Sequence, residues 1–173
     1  MSGVIHGFKY NGLKRNARFL SAFARYQYGL KNYIEEYDSL VPVPLHPLKQ
    51  RERGFNQATL IARSLSSFSG VRCDKTSLNR RKYTKTQTRL SGTERVENIN
   101  SAFVLNRKTT IQGKKLLLVD DVFTTGATSE ECAKTLLTGG ASSVGVITLA
   151  RTGLNTDVDD YGLELELAGS FLT

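Results

Sequence analysis

At 173 residues, with 39% hydrophobic and 23% charged content, the chain has the size and composition of one ordinary globular domain, residues 1–173. No apolar run approaches the roughly 20 residues that span a bilayer, so membrane insertion is not expected. The net charge of +8 is concentrated: Arg72 to Lys115 holds 12 Lys/Arg against 3 Asp/Glu, while the remainder has 12 basic and 13 acidic residues. A segment so unbalanced suits phosphates, carried by a small molecule or strung along a nucleic acid.

Met1 to Arg18 alternates Gly, Lys and Asn with single hydrophobics. It lacks a signal peptide's apolar centre, and a cytoplasmic location is expected. In Arg15–Leu30 the spacing of Ala17, Leu20, Ala24 and Tyr28 predicts a helix stopped by Gly29. Asp38–Pro47 is a short apolar run cut by three prolines; it reads as a strand ending early at Pro42, followed by an irregular loop. Asn56–Phe68 predicts an amphipathic helix with Asn56 as its N-cap. Arg80–Asn98 is nearly devoid of apolar residues and reads as a long mobile loop.

Leu116–Val119 is a continuous apolar strand of the kind covered on both faces. Thr125–Thr138 follows as a helix ended by Gly139-Gly140, and Ser142–Ala150 as another strand. The Leu-Glu alternation near the C-terminus predicts an edge strand. Helix and strand alternate at short spacing, which predicts an α/β fold with a mainly parallel central sheet flanked by helices. Cys73 and Cys132 match no zinc or redox spacing and read as structural thiols. His6 and His46, isolated in sequence, read as structural or solvent-exposed.

The strand ending in Asp120-Asp121 carries the chemistry. Ligands of parallel sheets bind beyond the carboxyl ends of strands, where loops turn into helices. Thr124, Thr125, Gly126, Ala127 and Thr128 open the next helix, whose first-turn N–H groups and positive dipole end suit an anion. Two carboxylates can accept hydrogen bonds from a sugar diol. A ribose 5-phosphate would use both halves, with its phosphate in the loop and its 2- and 3-hydroxyls on the aspartates. No lysine follows Gly126 as a P-loop requires, and Gly-x-Gly-x-x-Gly is absent. Paired acids also occur in phosphoacceptor receiver domains, but on their first strand, with more chain downstream than remains here.

"LLLVDDVFTTGAT" resembles the phosphoribosyl-diphosphate signature of type I phosphoribosyltransferases. Within that superfamily, "VPVPLHPLKQRERGFNQATLIARSL", "TKTQTRLSGTERVENINSAF" and the opening "VIHGFKYNG" are similar to the ComF competence-protein family. The resemblance implies a type I phosphoribosyltransferase fold that binds phosphoribosyl diphosphate with Mg²⁺. Asp120 and Asp121 would hold the ribose diol and the metal, and Thr124 to Thr128 the 5-phosphate. The loop Leu48–Gln57 would bind diphosphate through Arg51, Arg53 and the backbone near Gly54. Lys85, Gln87 and Arg89 would come down with the mobile loop, Lys85 and Arg89 in catalytic roles. ComF-type proteins commonly carry a four-cysteine zinc ribbon before "YNG"; these cysteines are absent here, and zinc is not expected in this chain. The resemblance further implies a role in handling incoming single-stranded DNA, alongside a DNA-translocating ATPase. The alternative is a metabolic phosphoribosyltransferase acting on a nucleobase or amine.

Overall fold

The computed structural model describes residues 29–81 and 102–149, together with the backbone of a strand at 167–171. The elements run α1 (Leu30–Glu35), β1 (Ser39–Pro42), α2 (Pro47–Arg53), α3 (Gln57–Ser69), β2 (Arg72–Cys73), β3 (Leu78–Arg80), β4 (Phe103–Leu105), β5 (Lys115–Asp120), α4 (Ala127–Thr138), β6 (Ser143–Thr148) and β7 (Leu167–Phe171). Five strands form one sheet in the order β2-β1-β5-β6-β7. The first four are mutually parallel, and β7 joins β6 antiparallel. A separate antiparallel pair joins β3 to β4.

The apolar run of β5 explains why this sheet has two covered faces. Its successive side chains point to opposite sides. Leu116 and Leu118 enter a cluster with Phe103, Cys132, Ala133 and Leu136, so β4 and α4 cover that face. Leu117 and Val119 enter the other cluster with Ile34, Ile61, Ala62 and Leu65, supplied by α1 and α3. All four of these β5 residues are fully buried.

This layering locates the crevice. The chain leaving β1 crosses to β2 by way of α3 on one face, whereas the chain leaving β5 crosses to β6 through α4 on the other. Between the neighbouring strands β1 and β5 the connections therefore diverge to opposite faces. Their loops part there and leave a gap at the carboxyl end of the sheet.

Gly29 stands at the N-cap of α1; positions 15–28, where a helix stopped by Gly29 is expected, lie outside the described residues. Several expectations need correction. Leu48–Gln57 is not a loop, because α2 occupies Pro47–Arg53. Pro47 sits in its first turn, where a missing N–H costs nothing and a fixed φ helps. His46 Nδ1 accepts from the Leu48 N–H at 3.3 Å, and Gly54 closes the helix in the left-handed conformation. Asn56 occupies the N-cap position of α3, but its side chain does not cap; Nδ2 donates instead to the Val43 carbonyl at 3.0 Å, tying the helix start to the chain leaving β1. Arg80 ends strand β3 rather than opening a loop, and positions 82–98 lie outside the described residues. The edge strand forms at Leu167–Phe171, from the last leucine of the Leu-Glu alternation onward; positions 163–166 lie outside the described residues.

Candidate active site

At the divergence of β1 and β5 lies a cleft of about 160 Å³. Its acidic wall is the end of β5. Asp120 is the last strand residue, and the Asp121 N–H donates to Asp120 Oδ1 at 2.8 Å. Burial, and then the neighbouring Asp121 carboxylate, push the Asp120 carboxyl well above the usual carboxylate range. A pair of like charges, half-buried here, suits a site that a cation or a hydrogen-bonding ligand completes.

The floor beside it is the start of α4. Gly126 takes φ 77° at the N-cap, and no side chain caps this helix. The α4 ladder begins with the Glu130 N–H bonded to the Gly126 carbonyl at 2.8 Å. Thr124, Gly126, Thr128 and Ser129 line the cleft at this end. First-turn amides, the dipole's positive end and hydroxyl donors together favour an anion. A side chain at position 126 is disfavoured twice over, since a Cβ there would stand 2.7 Å from Phe123 Cζ and force that ring to shift, in a backbone conformation that L residues avoid.

The third wall is cationic. Lys49 and Arg53, on α2, and Arg80, at the end of β3, all line the cleft. Residues four apart share a helix face, so Lys49 and Arg53 point together while Arg51, two positions on, turns away. Burial, and then the charges of Arg80 and Arg53, lower the Lys49 pKa. Arg80 lies with its guanidinium carbon 5.2 Å from the centroid of Phe103. Burial lowers its pKa, while nearby groups including Asp120 oppose that effect. Three cations pressed into mutual repulsion beside a helix N-terminus form a receptor for a multiply charged anion.

Of the residues expected from sequence, Asp120, Asp121, Thr124, Gly126, Thr128 and Arg53 line this cleft, whereas Arg51, Gly54, Thr125 and Ala127 do not. Arg51 is exposed on the last turn of α2, where its charge complements the helix dipole. Lys85, Gln87 and Arg89 lie outside the described residues. Sequence reasoning missed Lys49, Arg80 and Gln57. Gln57 is 2% exposed, lines the cleft, and its Nε2 has no hydrogen-bond partner among the described residues. Because an orphaned buried amide is costly, this donor is suited to a ligand oxygen. Cys132 is wholly buried, and burial pushes its thiol well up, as expected of an unreactive core residue.

The donor set suits a divalent cation. Two adjacent carboxylates supply hard oxygen ligands, and Mg²⁺ is ordinarily held by one or two carboxylates with water and substrate oxygens completing the shell. Asp120 and Asp121 fit that pattern. Among the described residues there is no group of three or more His, Cys, Asp or Glu that could hold a metal by itself, so a metal here would depend on its ligand's oxygens. No helix among the described residues is long and apolar enough to cross a membrane.

The chain is similar in sequence to curated proteins. The "DNA utilization protein YhgH" of Escherichia coli O6:H1 is 40% identical over 115 residues, covering 66% of this chain and 50% of that protein. "Competence protein ComFC" of Bacillus subtilis is 36% identical over 123 residues, covering 70% and 48%. The chain thus spans about half the length of the curated relatives it matches. Among solved structures, a purine phosphoribosyltransferase from Pyrococcus horikoshii aligns over 75% of each chain at 16% identity with a TM-score of 0.45. Residues 51–165 match the family described as "Phosphoribosyl transferase domain"; the chain belongs to that family, and its relatives within it are ComF-type proteins.

Proposed function

We propose that the cleft binds phosphoribosyl diphosphate together with Mg²⁺, and that the protein works in the uptake or handling of single-stranded DNA. The observation that carries the ligand assignment is the meeting on one cavity of an acidic pair, an uncapped helix N-terminus and three cations. Each matches one part of that ligand. Asp120 and Asp121 accept the ribose hydroxyls and would hold the metal. The first turn of α4, with Thr124 and Thr128, receives the 5-phosphate. Lys49, Arg53 and Arg80 face the diphosphate, and Gln57 offers a further donor.

In a transfer, the C1–O bond to diphosphate breaks and its electron pair leaves with the diphosphate, while the acceptor's lone pair forms the new bond to C1. Negative charge accumulates on the leaving group, where the three cations lining the cleft stabilise it. Mg²⁺, when bound, neutralises diphosphate oxygens. The DNA setting draws support from the relatives' names, "DNA utilization protein" and "Competence protein ComFC", and from the basic Arg72–Lys115 segment. A DNA-translocating ATPase is the proposed partner in that setting.

The test is diphosphate release from phosphoribosyl diphosphate and Mg²⁺ in the presence of single-stranded DNA, nucleobases or amines. The DNA reading expects turnover or binding that responds to the strand. Release dependent on one free nucleobase or amine, and indifferent to DNA, would instead make this a metabolic transferase.

A further inference from the structure

A second cavity adjoins the first. It encloses about 480 Å³, three times the volume of the cleft, and shares Pro44, Leu45, Asn56 and Arg80 with it as a common wall. Nothing in the donor-binding scheme above uses its other residues. Its chemistry differs in kind: Arg63, Lys75 and Arg80 line it with no carboxylate among its lining residues, whereas the first cleft has two. Along α3, Asn56, Thr59, Leu60 and Arg63 follow the i, i+3, i+4, i+7 spacing of a single helix face, so one continuous stripe forms a side of the cavity. Arg63 and Lys75 converge from different elements. Burial raises the Cys73 thiol pKa, and the charges of Lys75 and Arg63 are the two nearby influences opposing that rise.

Much of the remaining lining is apolar. Phe55, Leu60 and Leu78 line the cavity together with Pro42, Pro44 and Pro47, and Gln50 and Asn79 add amides that can pair with an edge bearing donors and acceptors. A bare anion would leave the apolar surface unused, and a purely apolar ligand would leave Arg63 and Lys75 unused. The volume lies within the range of small-ligand sites, which are mostly apolar with a few convergent polar groups. We propose that this cavity binds a nucleoside phosphate, free or as one unit of a single strand, with its phosphate on Arg63 and Lys75 and its base against Phe55 and Leu60. Arg80 faces both cavities, so two anions bound together compete for one guanidinium and each weakens the other.

The test titrates the protein with thymidine 5′-monophosphate, inorganic phosphate and a short oligothymidylate, following heat of binding. Arg63→Ala with Lys75→Ala changes exposed side chains only, so the fold is retained; it should weaken nucleotide binding about tenfold or more. Asp120→Asn should leave that binding unchanged. Oligothymidylate binding that shares this sensitivity, with or without measurable binding of the free nucleotide, supports the site and names the strand as its source. Three results overturn it: loss of nucleotide binding in Asp120→Asn but not in the double variant, which places the nucleotide in the first cleft; inorganic phosphate binding as tightly as the nucleotide, which removes the role of the base; or no binding of nucleotide or oligonucleotide at millimolar concentration. The Asp120→Asn arm keeps failure here separate from failure of the donor-site reading.

Discussion

Asp121 donates its backbone N–H to the Asp120 carboxylate at 2.8 Å, so the chain itself fixes the Asp120 side chain against its neighbour's backbone at the end of β5. That arrangement costs stability. The folded pKa of Asp120 is raised by burial and by Asp121, so the folded state holds this proton more tightly than the unfolded chain does. The contribution to stability is fully present below the ordinary carboxylate range and is lost as pH rises through the raised value. Asp120→Asn removes the penalty and keeps an acceptor for the Asp121 N–H. It should raise Tm by roughly 2–4 °C at neutral pH while abolishing Mg²⁺-dependent ligand binding; thermal melts read beside calorimetry check both. An unchanged or lowered Tm would mean that the pair is not strained.

Lys49 and Arg53, rather than Arg51, should govern diphosphate affinity. Lys49→Ala and Arg53→Ala are each expected to weaken phosphoribosyl diphosphate binding about tenfold or more and to affect ribose 5-phosphate far less. Arg51→Ala, on the exposed side of α2, should change affinity by no more than about twofold. Parallel titrations with the two ligands decide this, and an equal loss for both would remove the diphosphate assignment.

The lowered pKa of Lys49 gives that affinity a pH signature. Below its folded value the lysine is protonated at a cost. An anion in the cleft relieves that cost and draws the pKa back toward the ordinary 10.5. Affinity should therefore be greatest at neutral pH and fall as pH rises toward 10.5, the ordinary lysine value. In Lys49→Arg the fall should move to higher pH, as affinity measured across alkaline pH would show.

Gly126→Ala tests the phosphate loop. Position 126 has φ 77°, and the new methyl meets Phe123. Left-handed backbone in a non-glycine residue costs about 1–2 kcal/mol, lowering Tm by roughly 2–8 °C. Ribose 5-phosphate binding should fall with it, because the first turn of α4 must shift. A variant that loses stability but binds normally would show that the loop is structural only.

Leu118→Ala probes the face covered by α4. Leu118 is fully buried among Cys132, Leu136 and their neighbours, and its truncation should cost roughly 2–5 kcal/mol, read by chemical denaturation. A loss under about 1 kcal/mol would contradict close packing of this layer.

The sequence made β5 and the start of α4 legible because their signals are local. An apolar run, two acids and a glycine before a helical period need no tertiary information. The cationic wall was legible only in part, for a physical reason. The prolines at 42, 44 and 47 read as loop, which hid the fact that Pro47 starts a helix; once α2 is a helix, i, i+4 spacing selects Lys49 with Arg53 and rejects Arg51. Arg80 reaches the cleft only because β3 pairs with β4 and its side chain lies over Phe103, a juxtaposition across 23 residues of sequence. Gln57 had no local signal, since its orphaned amide results from how α3 packs.

Phosphoribosyl diphosphate held through the acidic pair unites the two carboxylates, the helix N-terminus and the three cations of one cleft. The most direct measurement is calorimetric titration of phosphoribosyl diphosphate, with and without Mg²⁺, into the native chain and into Asp120→Asn/Asp121→Asn. Mg²⁺-dependent binding to the native chain is expected, with at least a hundredfold loss in the double variant, about 3 kcal/mol of binding energy, and a melting transition that remains cooperative. Equal affinity in both proteins would contradict it.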